Sequence, residues 1–334
     1  TSYTGLTTIT AGTLAIGNNM TIGAIAGTGG NLSLGTGFTL TTNASSNTTF
    51  SGVISGAGSL TKTGTGALTL NGTNTYTGGT TLNAGTISLG HANGLGTSGN
   101  ITFTGGGLQY GSGITTDISS RIKNSTGAIL VDTNGNNVTF ASAVGSTNSG
   151  GLTKNGTGTL TLSGGITNGA NNLTFGGAGN ITVSGVIGSG AGTLTVDGTG
   201  TVTLSNAANS YTGHTFIKNG TLSVSNIGSV SVAGGLGAPT TTGDGTIAIG
   251  DVANTGTLKW TGSSNESTDR VFDLAGTTGG ATIDASGSGV LTLSSAITAT
   301  GVGAKSLTLT GTGGSGGTPN VMSSGISDGS AVIS

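Results

Sequence analysis

Between residues 150 and 205 apolar side chains recur in short alternating triplets, Leu160-Thr161-Leu162, Ile181-Thr182-Val183 and Val202-Thr203-Leu204. The triplets are 21 residues apart, as are Leu152, Leu173 and Leu194, and as are Gly156, Gly177 and Gly198. Alternation of apolar and polar residues between glycines marks a short half-buried strand. A fixed period of this length marks a stacked repeat, in which each unit buries its apolar face only against its neighbours. Together they predict an all-β chain coiled as a right-handed parallel β-helix, with about 21 residues per turn. Side chains alternate inward and outward along a strand, so Leu160, Ile181 and Val202 are expected in one buried column while Thr161 faces solvent. At this spacing the chain makes on the order of 16 turns.

A longer motif occurs three times. Tyr3-Thr4-Gly5 leading to Ala11-Gly12-Thr13-Leu14 matches Tyr76-Thr77-Gly78 leading to Ala84-Gly85-Thr86-Ile87, and again Tyr211-Thr212-Gly213 leading to Asn219-Gly220-Thr221-Leu222. A companion, Leu60-Thr61-Lys62-Thr63-Gly64-Thr65-Gly66-Ala67-Leu68, precedes the second copy, and a similar run from Gly192 to Leu204 precedes the third. The companion also stands alone as Leu152-Thr153-Lys154-Asn155-Gly156. These runs closely resemble the autotransporter-associated β-strand repeat of type V secretion passenger domains and of related large bacterial surface proteins. The repeat motifs lie at 1–16, 58–89, 150–164 and 192–224, within a single continuous β-helix expected over 1–334. The resemblance implies a secreted or cell-surface protein of a bacterium, exported through the outer membrane by a C-terminal barrel that this chain does not include.

Between the motifs, residues 101–147 and 246–310 share a layout: a strand, an aromatic-ended strand, then a patch carrying Asp and Arg. The patches are Asp117-Ile118-Ser119-Ser120-Arg121 and Ser267-Thr268-Asp269-Arg270, and they read as one recurring unit. The chain opens inside one motif, and Ser324-Gly325-Ile326-Ser327-Asp328-Gly329 looks like the lead-in to another. It is therefore expected to be an interior fragment of a longer repeat protein. Uncapped solenoid ends expose unpaired backbone, so end-to-end stacking of separate copies is expected as well.

Composition sharpens the picture. Charged residues are 5% of the chain, and the net charge is −2. The surface must be polar through hydroxyls and amides, and the basic footprint of a nucleic-acid binder is missing. The 71 glycines suit corners on every turn, and the 2 prolines suit a ladder that needs its N–H donors. Asn71, Asn83, Asn155 and Asn219 are expected at corners in left-handed conformations. There are no cysteines, and no apolar run is long enough for a membrane-spanning helix.

Candidate chemistry is sparse. Enzymes on β-helices need clustered carboxylates, and the densest patch here is Glu266, Asp269, Arg270 and Asp273, which reads more simply as a solvated loop with an Asp–Arg pair. His91 and His214 have no second ligand nearby in sequence, so no metal site is assigned. Gly313-Gly314-Ser315-Gly316-Gly317 fits the nucleophile-elbow spacing, but that motif needs a strand-to-helix turn. Trp260 and the tyrosines read as strand-end packing groups. No catalytic, cofactor-binding or metal-ligating residue is assigned, and no cofactor. The expected function is a non-enzymatic structural surface protein: a stalk, an adhesin, or an element of a filament or surface layer. Its expected partners are itself, end to end or laterally, or other cell-surface components. The alternative is a carbohydrate-active enzyme or glycan-binding module on a β-helix scaffold. A lattice-matching solenoid, which would present Thr-x-Thr on successive turns, is expected to be only one column wide here.

Overall fold

The computed structural model describes residues 2–167, 169–300, 302–314, 317–327 and 332–333. Strands are short and pair in parallel, turn upon turn, in a β-solenoid of about 14 turns of roughly 21 residues. The turns are fewer than the 16 expected because excursions such as 225–246, between Val224 and Ile247, take residues out of the stack. The one helical element among the described residues is a single 3-10 turn, Ser119–Arg121. Residues 1–140 with 147–160 form one compact unit, and residues 141–146 with 161–334 form a second.

In the first unit a parallel sheet runs through Met20–Ala26, Thr39–Thr42, Ser59–Lys62, Thr80–Leu82 and Ile101–Phe103. Its register places Leu40 beside Leu60 and Leu60 beside Thr80, all buried. The outward residues between them form an unbroken file, Thr21, Thr41, Thr61, Thr81 and Thr102. Another face stacks Leu68, Ile87, Leu108, Val131 and Lys154 inward. β-Branched threonine suits the strand and stays soluble without charge, which is why one residue type can fill the outer file.

The second unit repeats the logic. Ile181 pairs with Val202, then Leu222, Leu258 and Ile283 follow in register. Leu173 pairs with Leu194, as the 21-residue spacing requires. The neighbouring inward file holds Leu204, Val224, Trp260 and Ala285, so the largest side chain stacks against one of the smallest. Leu160, Ile181 and Val202 are all buried, Leu160 within the first unit.

The corner of the long motif is made by glycine. Gly12, Gly85 and Gly220, the same position in the three long motifs, have φ of 71°, 65° and 71°. Only glycine adopts this left-handed region without steric cost. Asn71, Asn83, Asn155 and Asn219 do not have positive φ; the described non-glycine residues that do are Asn124, Asn134, Ser231 and Val252. After Asn83, Asn155 and Asn219 the expectation fails because the glycine one or two residues on, Gly85, Gly156 or Gly220, takes the left-handed conformation instead.

Candidate functional site

Three of the described lysines are buried, Lys62, Lys154 and Lys305. In Leu60-Thr61-Lys62 and Leu152-Thr153-Lys154 the lysine shares the parity of the leucine, so it points into the coil and is fully buried. The Lys154 ammonium donates to the carbonyls of Asn155 at 2.9 Å and Gly156 at 2.8 Å. The Lys62 ammonium donates to the Gly64 carbonyl in the same corner. Burial pushes both amines below the usual lysine range, with Asp132 partly opposing the shift at Lys154. These two lysines satisfy carbonyls of the corner that follows their own strand.

A larger device occurs once in each unit. Asn74 accepts from the Ile54 amide and donates to the Gly94 carbonyl, each at 2.8 Å. Asn209 does the same with Ile187 at 2.9 Å and Gly235 at 2.8 Å. Two residues on, the buried hydroxyl of Tyr76 meets Thr80 at 2.6 Å, and that of Tyr211 meets Thr215 at 2.9 Å. Burial raises both phenols to about 12, against the smaller opposing pull of Thr80 and Arg121 or of Thr215 and Arg270.

Each device ends in an arginine. Arg121 donates to the carbonyls of Gly99 at 2.8 Å, Gly96 at 3.1 Å, Leu95 at 2.7 Å and Ser98 at 2.5 Å. Fully buried Arg270 donates to Leu236 at 3.1 Å and to Gly245. The recurrence of the two Asp/Arg patches is thus structural. Each guanidinium binds the leucine carbonyl of a Gly-Leu-Gly loop, Gly94-Leu95-Gly96 or Gly235-Leu236-Gly237.

The acidic residues are absorbed in the same way. Glu266 accepts from Asn226 Nδ2 at 3.0 Å, from the Ile227 and Gly228 amides at 2.8 Å each, and from Trp260 Nε1 at 2.6 Å. Asp269 accepts from the Val230 amide at 2.8 Å. Asp273, largely buried, takes the hydroxyls of Thr298 at 2.8 Å and Thr300 at 2.6 Å. The patch is therefore not the solvated loop expected from sequence. It is a set of clamps on neighbouring turns, with Arg270 buried and Asp273 covered by the threonines of the next turn. Half-buried ion pairs join Lys259 to Asp284 at 3.5 Å and Lys218 to Asp251 at 4.0 Å.

His214 lies 3.6 Å from Asp244 and stacks on Phe216 with ring centroids 5.7 Å apart. His91 touches the Thr73 hydroxyl at 3.3 Å and accepts from the Asn93 amide at 3.0 Å. No group of three or more His, Cys, Asp or Glu gathers among the described residues. Trp260, Tyr76, Tyr110 and Tyr211 are buried, as packing groups should be, while Tyr3 is exposed. Ser315 and Gly316 of the Gly-x-Ser-x-Gly match, and Asp328 and Gly329 of the C-terminal lead-in, lie outside the described residues.

The outer surface is where the chain differs from an ordinary fold. Beside the file Thr41, Thr61, Thr81 and Thr102 runs a second, Asn43, Thr63, Asn83 and Thr104, all outward and all uncharged. The second unit presents Thr201, Thr221, Thr257, Thr282 and Thr308 in one file. The adjacent file holds Thr203, Ser223, Lys259, Asp284 and Thr310. In each unit only one of the two outward files is threonine throughout; the adjacent file mixes Thr with Asn in the first unit and with Ser, Lys and Asp in the second.

Comparison with known proteins agrees with this architecture. The passenger-associated-transport-repeat family model matches residues 1–16, 60–89 and 194–224. Over 281 residues the chain is 33% identical to the adhesin BmaC autotransporter of Brucella suis biovar 1 (strain 1330), an alignment covering 83% of this chain. The chain spans 7% of that protein's length. No solved structure matches it significantly.

Proposed function

Because the chain is an autotransporter passenger β-helix repeat protein, we propose that it acts outside a bacterial cell as a non-enzymatic adhesive scaffold. The carrying observation is the pair of outward, uncharged files of Thr and Asn in the first unit, set on a core that buries its lysines. Such a face offers donors and acceptors at the 4.7–4.9 Å repeat of the strands. With almost no net charge, it approaches other surfaces, or a neighbouring copy of itself, without repulsion. The adhesive character of the Brucella suis relative supports the same reading. Export across the outer membrane belongs to this proposal, as does lateral self-association.

The test is attachment. Beads coated with the purified chain should bind host cells and should keep doing so as salt is raised, since little of the contact is ionic. A variant with Thr41, Thr61 and Thr81 all changed to Asp, which charges the outer file without touching the core, should lose attachment. Wild-type beads that bind no better than albumin-coated ones would sink the proposal.

A further inference from the structure

The Arg-centred device exists in two versions, and the difference between them leaves a space. The aromatic ends of two strands define the comparison: Tyr110 pairs with Leu89, and Trp260 pairs with Val224. Counting onward, His91-Ala92-Asn93 in the first unit corresponds to Asn226-Ile227-Gly228 in the second. Counting back from the arginines, Asp117 stands four residues before Arg121 as Glu266 stands four before Arg270.

In the second unit Glu266 crosses to the facing loop and fills the gap with contacts to Asn226, Ile227, Gly228 and Trp260. Asp117 is one methylene shorter. Its Oδ1 turns back to accept from the Ser119 amide at 2.8 Å, and the Tyr110 hydroxyl goes to the Thr116 carbonyl at 3.1 Å. Where the glutamate plugs one copy, the other holds a cavity of about 300 Å³.

The lining of that cavity is mixed. Leu89, Leu95 and Ile118 give it an apolar floor, and Thr97, Thr116 and Ser120 give it hydroxyls. Asp117 and Arg121 both border it, so the local charge is balanced and favours a neutral occupant over an ion. Asp117 and Ser120 are exposed, which leaves an entrance. The volume stands at the lower end for ligand sites, room for one ring and not for a chain. An apolar floor with a carboxylate and several hydroxyls at the rim suits a pyranose, whose ring presents a C–H face and edge hydroxyls.

We infer that this cavity is a binding site for a single neutral hexose unit, with the Asp117 carboxylate accepting from sugar hydroxyls over a floor of Leu89, Leu95 and Ile118. It goes beyond the adhesive reading and stands apart from it. It is read on the purified chain, whereas adhesion is read on cells.

The experiment is saturation-transfer NMR on the full chain with D-glucose, D-galactose, D-mannose and N-acetyl-D-glucosamine. At least one sugar should bind with a Kd on the order of 1 mM, as expected of a small, solvent-open site. Asp117→Glu rebuilds the plug of the second unit. It should abolish transfer while the circular dichroism and urea midpoint stay unchanged. Asp117→Ser removes the carboxylate without filling the space. It should weaken binding by about tenfold or more, the effect of losing hydrogen bonds to a charged acceptor. Asp197→Asn, exposed in the other unit, should bind as wild type. Absence of transfer from all four sugars, or full binding by a folded Asp117→Glu variant, overturns the inference.

Discussion

The hydroxyl of Tyr76 lies 2.6 Å from that of Thr80, fully buried, and four residues apart in sequence it spans a whole corner of the coil. Tyr211 and Thr215 repeat the contact at 2.9 Å. Threonine here takes an inward position that its neighbours fill with Leu60 and Ile101. A polar residue is tolerated in that column because the phenol arrives to satisfy it.

That burial makes the fold sensitive to alkali. Both phenols are raised from 10 to about 12, so between these values the folded state keeps a proton that the unfolded state has lost. Stability is complete below pH 10 and falls as pH rises toward 12, by roughly 3 kcal/mol per tyrosine. Buried Lys62 and Lys154 act in the opposite sense, because their lowered pKa values let stability rise with pH up to the ordinary 10.5. Above that point only the tyrosine loss continues. Tyr76→Phe should cost about 1 kcal/mol at pH 7, where its hydrogen bond is lost. At pH 12 it should be more stable than wild type. Urea midpoints at the two pH values check the crossing, and two parallel curves would refute it.

The lysines invite a different comparison. Lys154 stands in an aliphatic column beside Val131, and its ammonium is the donor to the Gly156 carbonyl. Lys154→Met keeps the stem and removes a charge that burial disfavours, at the expense of two corner hydrogen bonds, to the Asn155 and Gly156 carbonyls. These effects nearly offset, and the change should stay within about 1 kcal/mol. Lys154→Ala adds a hole that stacked neighbours cannot close, for a loss of about 2–4 kcal/mol. Chemical denaturation of the two variants should separate them by about 2 kcal/mol, with Met the more stable. Equal losses would mean that the charge, not the packing, holds the corner.

Much of this was legible in the sequence. The 21-residue interval between Leu173 and Leu194 is a physical register, because one turn of backbone fixes which side chains touch. The same parity rule places Lys62 and Lys154 inside, since each stands two residues after a buried leucine. Charge habitually suggests the surface, and that habit hid them. Asn74 and Asn209 were invisible for another reason. Their partners, Ile54 with Gly94 and Ile187 with Gly235, lie about one turn away on either side, and composition carries no trace of such a bridge. The arginine clamps showed only as a repeated Asp/Arg pattern, whose loop partners 22 to 34 residues upstream emerged from the coordinates. The cavity beside Asp117 depends on one methylene in one of two copies, a difference visible only once both loops are superposed on a common register.

The last test concerns the corners. Gly12 and Gly220 occupy the same motif position with the same φ of 71°. A side chain at either must adopt the left-handed region, which costs roughly 1 kcal/mol. Their surroundings differ. A Cβ on Gly12 would meet nothing within 4 Å. One on Gly220 would lie 2.1 Å from the Gly198 carbonyl oxygen and 2.7 Å from that of Gly200, both in the adjacent turn. Backbone atoms cannot step aside as a flexible side chain can, so the stack itself would have to open. Gly12→Ala should therefore lose only the conformational cost, whereas Gly220→Ala should lose roughly 2–4 kcal/mol. Amide exchange at Thr221 and Leu222 should rise with it, because these residues pair with Thr201 and Val202 across the forced gap. If both alanine variants unfold at the same urea concentration, close turn-on-turn approach is not what requires glycine at these corners, and conformational freedom alone is.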